Sequence, residues 1–532
     1  MTDLTRLTNS TGDALSNPNE WTSADLLRGL PSRLHTIYEA PTAANPLHPA
    51  FVENGITWSY KDFASSVDAV AARLVALGIR PGDRVMIVSE NSVAASAFVL
   101  AASKIDAWAI VTNPRLSPRE LDQIHTHSGA RRRFFMCSIS PEAATHADRC
   151  GAASAPVGPY QDIGVGALNE SASVEPVHAD GSKQVAVLIY TSGTTGLPKG
   201  VMLSHHNLLF AARTSGLLRA MSPADRVYAV LPMSHIVGLS IGLVSTLMFG
   251  ATNVSIAKYG PAHLARSLAE DGITILSGVP AIYQSLLAYK TTAGISRLDK
   301  GRLRQIGVAG APLDPALKKR VEQELGLPLQ NAFGITECSP GISAVRSDDP
   351  RPDETVGKIL PGVETRLLRA DGNPASEGEI GELHVRGPNV MLGYYNAQDL
   401  TDKAIDRDGW FATGDLARFA GPFLYIVGRS KEMIIRSGFN VYPAEVEAVI
   451  AEHASVLQSA VVGRPIDGNE EVVAFVQLVP GATVSPDELS EFVAPLLTAY
   501  KRPSRFIVLD AFPAGSTGKI LKHRLKEMAA GI

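Results

Sequence analysis

The stretch from Val185 to Asn207 constrains what this chain can fold into more than any other. It begins with an apolar, β-branched run from Val185 to Tyr190, which is typical of a buried strand. The six residues after this run are predicted to form a loop between two core elements. Such a loop is ordinarily a solvent-exposed connection, but here a flexible cation, Lys199, follows it and suits a polyphosphate. Glycines let a backbone approach a ligand, and converging N–H groups bind anions, so we expect a phosphate-binding loop. Its six residues are all glycine or hydroxyl-bearing: Thr191, Ser192, Gly193, Thr194, Thr195 and Gly196.

The common P-loop pattern is absent, because Pro198 precedes Lys199 and Gly200 follows it. The string YTSGTTGLPKGVMLSH instead closely resembles the phosphate-binding signature of the adenylate-forming enzymes. These enzymes include acyl- and aryl-CoA synthetases, the adenylation domains of nonribosomal peptide synthetases, and luciferases. The resemblance covers residues from about 50 to 528, in order and at the spacing of the family. It implies an ATP-dependent acid–thiol ligase with ATP, Mg²⁺ and coenzyme A as cofactors and a small-molecule carboxylic acid as substrate.

Composition limits the class of protein. A chain of 532 residues is too long for one compact core, so two or more domains are expected. The formal net charge of −4 provides no basic excess for a nucleic-acid partner. The three cysteines show neither metal-ligand spacing nor a disulfide framework, which is typical of a reducing compartment. The N-terminus lacks an apolar signal region, and the apolar stretch 236–250 is too short to span a membrane. We therefore expect a buried helix at 236–250 and a cytoplasmic protein.

Strand and helix patterns alternate between His48 and Val111, which predicts α/β layers with mainly parallel sheets. With the resemblance, they imply a large N-terminal ATP- and acid-binding domain at 1–428, a hinge at 429–432, and a small, mobile α+β C-terminal domain at 433–532. Two segments are expected to be peripheral: a loose arm up to about Asn45, and a surface connection from Pro141 to Ser182. The three arginines at 131–133 are interpreted as a solvated turn in preference to an anion patch.

Several further segments resemble the nucleotide-binding motifs of the family. One is a small-residue turn after a predicted strand, where a flat ring can lie against the backbone; the family uses it for adenine. The next motif has Phe333 in place of the family's tyrosine, which keeps the stacking face. Asp415 can accept hydrogen bonds from both ribose hydroxyls, and Arg429 would reach ribose or phosphate. Besides the phosphate loop, the expected nucleotide-binding residues are Gly310, Ala311, Pro312, Asn331, Ala332, Phe333, Gly334, Asp415 and Arg429.

The resemblance assigns the chemistry to four residues. Thr336 contacts the phosphate, and Glu337 holds Mg²⁺, which prefers carboxylate and phosphate oxygens. Lys519, on a loop near the C-terminus, reaches into the cleft and bridges the substrate carboxylate and ATP. His235 ends a buried strand, which alone indicates a satisfied core histidine, but the resemblance places it in the acid pocket as a gate. Because ATP activates the acid and the thiolate brings its own reactivity, no nucleophilic side chain is needed, and Cys338 is interpreted as pocket wall.

The acid is specified only by class. No acidic residue occurs between Asp225 and Glu270, which argues against an α-amino acid. The expected pocket contains no arginine to pair with a second carboxylate, so a dicarboxylate such as malonate is disfavoured. A medium-chain fatty acid or an aromatic acid is expected. The pocket residues are Met233, Ile236, Val237, Val279, Ile335 and Ile342, with Ser234, Ser339 and His235 as the polar members.

In the family, the C-terminal domain rotates between the two half-reactions, and Lys431 stands at the expected swivel point. A stand-alone ligase that loads an acyl carrier protein is the alternative, because only the thiol acceptor differs. A luciferase-like oxygenase and a non-enzymatic nucleotide-binding protein are disfavoured, and a homodimer is left open. Residues 513–519 fit the pattern of bacterial acyl-CoA synthetases silenced by acetylation, so a lysine acetyltransferase acting on Lys519 is a candidate partner. The expected coenzyme A contacts are Arg436, Ser437, Gly438 and Phe439.

Overall fold

The computed structural model describes residues 17–192, 198–436, 439–466, 469–514 and 520–532. The strands in these ranges form five sheets. In chain order they are β1 Pro49–Glu53, β2 Ile56–Ser59, β3 Arg84–Val88, β4 Trp108–Thr112, β5 Arg132–Met136, β6 Ala153–Val157, β7 Tyr160–Val165, β8 Val185–Ser192, β9 Pro198–Ser204, β10 Arg226–Ala229, β11 Thr252–Ser255, β12 Ile275–Gly278, β13 Gln305–Val308, β14 Leu329–Gly334, β15 Gly341–Ala344, β16 Lys358–Ile359, β17 Glu364–Leu368, β18 Gly381–Arg386, β19 Gly393–Tyr394, β20 Phe411–Ala420, β21 Phe423–Arg429, β22 Ile434–Arg436, β23 Phe439–Val441, β24 Val456–Ile466, β25 Asn469–Leu478 and β26 Arg505–Val508.

Helices connect most of the parallel strands. In chain order the α-helices are α1 Ser23–Leu27, α2 Glu39–Ala44, α3 Tyr60–Ala76, α4 Val93–Lys104, α5 Pro118–Ser128, α6 Pro141–Arg149, α7 His205–Leu218, α8 Thr246–Met248, α9 Pro261–Glu270, α10 Pro280–Thr292, α11 Pro315–Leu325, α12 Gln398–Ala404, α13 Pro443–Ala451, α14 Pro486–Val493 and α15 Lys522–Ala530. Short 3₁₀ helices occupy Pro18–Glu20, Leu34–Tyr38 and Thr336–Cys338. Over the described ranges, none of the helices has both the length and the apolar character needed to cross a membrane.

The first large sheet has nine strands in the order β16-β15-β14-β13-β12-β10-β11-β1-β2. Its central strands, from β14 to β1, pair in parallel, and the strands at both edges pair antiparallel. Because neighbouring parallel strands run in one direction, the carboxyl ends of β12, β13 and β14 lie side by side. Open α/β sheets bind their ligands at such an edge.

The second large sheet has eight strands in the order β19-β9-β8-β4-β3-β5-β7-β6. The strands β8, β4, β3 and β5 pair in parallel, whereas β8 and β9 form an antiparallel hairpin. The edge strand β19 pairs antiparallel with β9, so that Tyr394 lies opposite Val201. A four-stranded antiparallel sheet, β17-β18-β20-β21, follows the two large sheets along the chain.

The C-terminal part is a small α+β unit. The strands β24 and β25 pair antiparallel, and β26 adds to β25 in parallel. Helices α13 and α15 pack against β24, and α14 packs against β26. The apolar side chains of this unit form two clusters of their own. The predicted fold class, a large α/β domain with mainly parallel sheets and a small α+β C-terminal domain, is confirmed.

The segment before Asn45 is not the expected loose arm over the part described, which starts at residue 17. Leu34 and Ile37 are buried, and the Leu34 N–H donates to Nδ1 of His205, the first residue of α7, at 3.1 Å. Burial lowers the pKa of His205 to about 3, so its imidazole stays neutral and can accept this bond. Apolar burial and one buried hydrogen bond therefore fix the segment to the large domain.

The expectation of a surface connection from Pro141 to Ser182 is wrong for its first half. Helix α6 and strands β6 and β7 occupy that half, and β7 pairs antiparallel with β5, which extends the second sheet. A Cβ at Gly164 would lie only 2.9 Å from the Cβ of Ala147 on α6. The small residues that suggested a loop instead allow the helix to pack closely on the strand.

The arginines at 131–133 form neither a solvated turn nor an anion patch. Arg131 is buried, and its guanidinium donates to the carbonyl groups of Gly78 and Asn169. Arg132 likewise donates to two backbone carbonyl groups, and Arg133 forms an ion pair with a carboxylate on α5. Guanidinium groups that satisfy backbone carbonyls in this way stabilise the start of β5.

The apolar stretch 236–250 is helical, as expected, but Gly238–Ser245 is a π-helix, whose turns are wider than those of an α-helix. Only glycine fits at Gly238, because a Cβ there would lie 2.2 Å from the carbonyl oxygen of Pro232. Open space remains beside Gly242, since a Cβ there would meet nothing closer than the carbonyl oxygen of Val237 at 3.9 Å. The wide helix therefore leaves room next to its own backbone.

Asn207 connects α7 to the segment that leads into β19. Ser204 and Asn207 form a capping box at the start of α7, since Ser204 Oγ accepts from the Asn207 N–H and Asn207 Oδ1 accepts from the Ser204 N–H. Asn207 Nδ2 also donates to the carbonyl oxygens of Pro388, at 2.7 Å, and Val390, at 2.9 Å. One buried amide thus sets β19 relative to the helix that follows the phosphate-loop hairpin.

The substitution Asn207→Ala is expected to lower the free energy of unfolding by about 2–4 kcal/mol, because it removes a helix cap and leaves two carbonyl groups without their donor. Denaturant unfolding followed by circular dichroism measures the change. Asn45→Ala is the matched control, since the side chain of Asn45 is exposed. Equal stabilities of the two variants would contradict the role given to Asn207.

Candidate active site

The predicted phosphate loop lies at the tip of the β8–β9 hairpin. In the antiparallel register Thr191 is opposite Lys199, and Tyr190 is opposite Gly200. Thr191 and Lys199 are half-buried and frame the base of the loop. Ser192 ends β8, and four further residues predicted to bind phosphate lie outside the described residues: Gly193, Thr194, Thr195 and Gly196. The hairpin therefore presents a hydroxyl group and a cation at the entrance to the predicted loop.

Tyr394 connects this hairpin to the predicted metal ligand. Its hydroxyl donates to Oε1 of Glu337 at 2.9 Å, and Lys199 Nζ lies 5.2 Å from the centroid of its ring. Burial, together with the charge of Glu337, raises the pKa of the Tyr394 phenol far above its usual value. The phenol therefore stays protonated and remains a hydrogen-bond donor to the carboxylate.

A tight turn after β14 positions Thr336 and Glu337. Gly334 is required in it, because a Cβ at this residue would lie 2.0 Å from the carbonyl oxygen of Pro340. The Ile335 N–H donates to that same oxygen, and a 3₁₀ turn then carries Thr336 and Glu337. Both side chains are half-buried, which leaves them accessible from the cleft. The second oxygen of the Glu337 carboxylate has no hydrogen bond within the described part of the chain, so the residue fits a hard cation that takes oxygen ligands.

The predicted adenine turn follows β13 at the edge where β12, β13 and β14 end. Gly310 adopts a φ of +84°, in the region that favours glycine, and lies beside Val279. Ala311, Pro312, Ala332 and Phe333 lie at the same edge, on the ends of neighbouring strands. Asn331 has a different task. Its side-chain amide donates to the carbonyl oxygens of Glu354, at 3.2 Å, and Thr355, at 3.1 Å, so it braces a neighbouring loop.

Asp415 and Arg429 form an ion pair on the adjacent strands β20 and β21. Arg429 Nε lies 2.9 Å from Oδ1 of Asp415, which is 2% exposed. Burial alone would lower the pKa of Arg429, but the carboxylates of Asp415, Glu432 and Glu337 outweigh it and raise the pKa above its usual value. The two predicted ribose contacts are thus brought together.

Cys338 lies near both predicted carboxylate ligands, Glu337 and Asp415. It is fully buried, and burial, together with the charges of Glu337 and Asp415, raises the pKa of its thiol well above the usual value. The thiol is therefore protonated near neutral pH and is a poor nucleophile. This agrees with its interpretation as a wall residue.

The expected acid-pocket residues divide into two groups. Met233, Ile236 and Ile342 are buried in the main core; the Met233 N–H donates to Asn91 Oδ1 at 2.8 Å, and its sulfur accepts from Ser96. The accessible ones are therefore Ser234, His235, Val237, Val279 and Ile335, which are partly exposed.

Three polar atoms in this region have no hydrogen-bond partner in the described residues. They are Ser234 Oγ, His235 Nε2 and Ser339 Oγ, and each is buried. Burial also lowers the pKa of His235, which keeps its imidazole neutral. Because buried polar groups in proteins are usually hydrogen-bonded, these atoms fit a site that receives polar groups from a ligand or water.

The segment predicted to swivel runs from β21 into the hairpin β22–β23. Lys431 is exposed, and its carbonyl oxygen lies 3.5 Å from Nζ of Lys526 on α15. Lys522 of α15 forms ion pairs with Glu447, at 2.8 Å, and Glu432, at 3.2 Å. Burial would lower the pKa of Lys522, but the two carboxylates raise it, so the lysine stays charged. The helix after the predicted catalytic loop is thus tied to the predicted hinge.

The predicted catalytic lysine and part of the predicted coenzyme A segment cannot be placed. Lys519, Ser437 and Gly438 lie outside the described residues. The loop with Lys519 is closed at its base by an antiparallel bridge between residues 514 and 520. The side chains of Arg436 and Phe439 contact the segment 500–502 of the same unit: Arg436 donates to two of its carbonyl groups, and Phe439 stacks on a tyrosine ring at 4.6 Å.

Tyr394 and Lys522 were missed by sequence reasoning. Tyr394 belongs to a two-residue strand, and nothing local to its sequence links it to Glu337, which is far from it in the chain. Lys522 belongs to a basic helix whose charges look solvated in sequence. A charge-bearing helix directly after the predicted catalytic loop was the one available signal for Lys522.

Comparison with known proteins matches this arrangement. The sequence profile of the AMP-binding enzyme family matches residues 38–395, and that of the AMP-binding enzyme C-terminal domain matches residues 445–519. A putative acyl-CoA synthetase of Bacillus subtilis, YngI, is 30% identical, over 93% of this chain and 97% of that protein. A feruloyl-CoA synthase from an Amycolatopsis species is 31% identical, over 91% of this chain and 96% of that protein.

A solved structure shares the whole architecture. The crystal structure of ATP-bound MatB from Rhodopseudomonas palustris superposes with a TM-score of 0.83 at 29% identity, covering 94% of this chain and 99% of that one. Sequence profiles, full-length relatives and fold therefore agree. The chain belongs to the AMP-binding enzyme family, the adenylate-forming superfamily, and within it to the acyl- and aryl-CoA ligases that adenylate with ATP.

Proposed function

We propose that the protein joins a carboxylic acid to coenzyme A in two steps, through an acyl adenylate. In the first step a carboxylate oxygen attacks the α-phosphorus of ATP, the bond to the bridging oxygen breaks, and pyrophosphate leaves. In the second step the thiolate sulfur of coenzyme A attacks the acyl carbon, the bond to the AMP oxygen breaks, and AMP leaves. Both steps balance without an oxidant or a nucleophilic side chain, in agreement with the protonated thiol of Cys338.

One observation carries this proposal: groups suited to each part of a nucleotide lie together where the sheets meet. Lys199 and Thr191 flank the phosphate hairpin, Glu337 is coupled to that hairpin through Tyr394, and Asp415 is paired with Arg429 nearby. The cation and hydroxyl of the hairpin suit the phosphates, the carboxylate of Glu337 suits the metal ion, and the carboxylate of Asp415 suits the ribose. A nucleotide-binding protein without chemistry would not need the accessible carboxylate of Glu337 beside that hairpin.

Each candidate site residue is assigned one role in adenylation. Thr336 donates to the α-phosphate, and Lys199 balances charge on the departing phosphates. Glu337 would hold Mg²⁺, which supplies charge neutralisation as pyrophosphate forms. Lys519 bridges the acid and the α-phosphate, and His235 gates the acid pocket. The Mg²⁺ ligand is kept in one orientation by the phenol of Tyr394.

Rotation of the C-terminal domain at 429–432 is proposed to separate the two steps. It would withdraw Lys519 and bring the hairpin β22–β23, with Arg436 and Phe439, to the thiol. Coenzyme A is preferred over an acyl carrier protein because the full-length relatives are named acyl-CoA and feruloyl-CoA synthetases. An acid-dependent thioester on a pantetheinylated carrier protein, with none on coenzyme A, would reverse that preference.

The acid is proposed to be a medium-chain fatty acid or an aromatic acid. The accessible pocket residues Val237, Val279 and Ile335 are apolar and suit a hydrocarbon chain or ring. The unsatisfied atoms of Ser234, His235 and Ser339 would bond the carboxylate or polar substituents. One relative is a feruloyl-CoA synthase, and ferulate is an aromatic acid of this kind.

Tyr394→Phe is expected to weaken metal binding. Losing the hydroxyl frees the Glu337 carboxylate to rotate, so the Mg²⁺ concentration that gives half-maximal ATP–pyrophosphate exchange should rise about 10-fold, whereas the KM for the acid should stay within about 2-fold. A second readout needs no turnover: titration of Mn²⁺ with ATP and enzyme, followed by electron paramagnetic resonance, should show the same loss of affinity.

Tyr395→Phe is the matched control for that experiment. The hydroxyl of Tyr395 donates to Glu175 at 2.7 Å, so the neighbouring substitution removes an equal group without touching Glu337. An equal rise in the metal requirement of both variants would show that general loosening of this segment, and not the contact with Glu337, is responsible.

Lys519→Ala is expected to abolish acyl-adenylate formation, by about 10²-fold or more in ATP–pyrophosphate exchange, because it removes the cation that bridges the reacting groups. Thioester formation from a supplied acyl adenylate should persist. Lys183→Ala, which replaces an exposed lysine, serves as control. Equal losses in both half-reactions of the Lys519 variant would contradict the assignment.

Acetylation of Lys519 is proposed as a means of control. A bacterial lysine acetyltransferase with acetyl-CoA should modify this lysine and suppress adenylation, since the neutral amide lacks the required charge. Mass spectrometry of the treated enzyme, and recovery of exchange after deacetylation, measure both effects. Finding only unmodified Lys519 after exposure would count against this proposal.

A further inference from the structure

Arg219 is a partly buried cation whose charge no carboxylate balances in the described part of the chain. It follows directly on α7, where its Nη1 lies 3.3 Å from the carbonyl oxygen of Ser215 and contacts the hydroxyl of that residue. The side chain keeps some exposed surface, yet burial of the guanidinium lowers its pKa to about 10, with no neighbouring carboxylate to oppose the effect. Charge in such surroundings is costly unless an anion accompanies it.

Hydrogen bonds from Arg304 fix the backbone position of Arg219. Arg304 donates from Nη1 to the carbonyl oxygen of Arg219, at 3.1 Å, and from Nη2 to that of Ala220, at 3.2 Å. Arg304 is in turn held by both oxygens of the buried Asp225, at 2.7 and 2.8 Å. A ligand would therefore meet a guanidinium group whose backbone is already ordered, which lowers the entropy cost of binding.

A small cavity adjoins Arg219 and shares one wall residue, Val237, with the expected acid pocket. Its volume of about 20 Å³ holds roughly one water molecule, and its wall includes Arg219, Val237, Ile241 and Ser277. Val237 belongs to the accessible acid-pocket residues. Ser277 and Val279 lie on one side of the extended chain, because alternate residues of a strand face the same way. The cavity therefore adjoins the expected acid pocket on the side of Ile241 and not on the side of His235.

The distance between the reacting carboxylate and the small cavity can be estimated from the chain. His235, placed beside the reacting carboxylate, and Ile241, on the cavity wall, belong to one continuous segment that is helical for most of its length. A helical rise of 1.5 Å per residue puts them roughly 9 Å apart along the axis, and somewhat less in a π-helix. A molecule that spans the pocket from the α-phosphate to Arg219 must be of medium length.

We propose that the acid activated by this enzyme carries a second carboxylate at its far end, which Arg219 binds. The substrate class is then an α,ω-dicarboxylic acid of medium chain length. A terminal oxygen would occupy the space of the water-sized cavity, and the planar guanidinium can donate two parallel hydrogen bonds to it. This inference rests on the proposed function and changes its acid, because Arg219, which is not among the pocket residues expected from the sequence, supplies a partner for a second carboxylate. Malonate stays disfavoured, because it is too short to reach from His235 to Arg219.

The test compares chain-matched acids with one and two carboxylates. ATP–pyrophosphate exchange is measured with suberate, its monomethyl ester and octanoate, and with the same sets for adipate and sebacate. The wild type should use at least one dicarboxylate with a higher kcat/KM than its ester. Arg219→Met should lower kcat/KM for that dicarboxylate about 10- to 100-fold, mainly through KM, and leave the monocarboxylate within about 3-fold. Arg219→Lys should have a kcat/KM for that dicarboxylate between the values of the wild type and of Arg219→Met.

Methionine is chosen because replacing a buried charge by an apolar side chain of similar size is often neutral for folding. Gly242→Val is a second variant, which narrows the open space beside Gly242 while keeping both cation and backbone; it should reduce the use of the longest acids first. Equal effects of Arg219→Met on dicarboxylates and monocarboxylates, or a wild type that prefers the esters, would overturn the inference alone. Absence of exchange with every acid would overturn the proposed function and the inference together.

Discussion

The hydrogen bond from Tyr394 to Glu337 is the contact on which the arrangement of the site depends. Tyr394 belongs to the edge of the second large sheet, and Glu337 to the turn that ends the parallel part of the first. Lys199, on the strand that pairs with β19, lies over the same tyrosine ring. One phenol thus connects the predicted phosphate hairpin to the predicted metal carboxylate. The amide of Asn207 supports it from behind by fixing the segment that enters β19.

The treatment of buried charge distinguishes structural residues from functional ones. Where charge serves the fold, its hydrogen bonds are satisfied, as those of Arg304 are by Asp225 and those of Arg132 are by backbone carbonyl groups. Around the expected acid pocket the opposite holds among the described residues: Ser234 and His235 have buried atoms without partners, and Arg219 has no carboxylate beside it. Leaving polar groups unsatisfied costs stability, which a protein tolerates where a ligand completes the bonds. The unsatisfied groups therefore outline the site that the acid would occupy.

Much of the fold and of the nucleotide site could be predicted from the sequence, because short motifs encode them locally. Gly334, in the turn before Glu337, belongs to such a motif, and the structure shows a steric reason for it, because a Cβ there would meet the carbonyl oxygen of Pro340. The predictions that failed concern packing. Alanine and glycine between Pro141 and Ser182 suggested a loop, whereas α6 uses them for close contact with β7.

Contacts between distant segments could not be predicted in this way. Arg219 follows directly on α7 and precedes β10, well before His235 in the chain, so a search of the residues around His235 passes over it. The π-helical turns at 238–245 have the same apolar composition as an ordinary helix, yet they create the space beside Gly242. Tyr394 gains its role only when β19 pairs with β9. In each case the function depends on the tertiary arrangement and has no local signature.

The central claim is that ATP is cleaved between its α- and β-phosphates to activate an acid. Phosphorus-31 nuclear magnetic resonance of a reaction with ATP, Mg²⁺, a panel of acids and coenzyme A tests it directly. The account predicts AMP and pyrophosphate in equal amounts, with the acyl thioester formed in the same quantity and none of these without the acid. Formation of ADP and inorganic phosphate would contradict it.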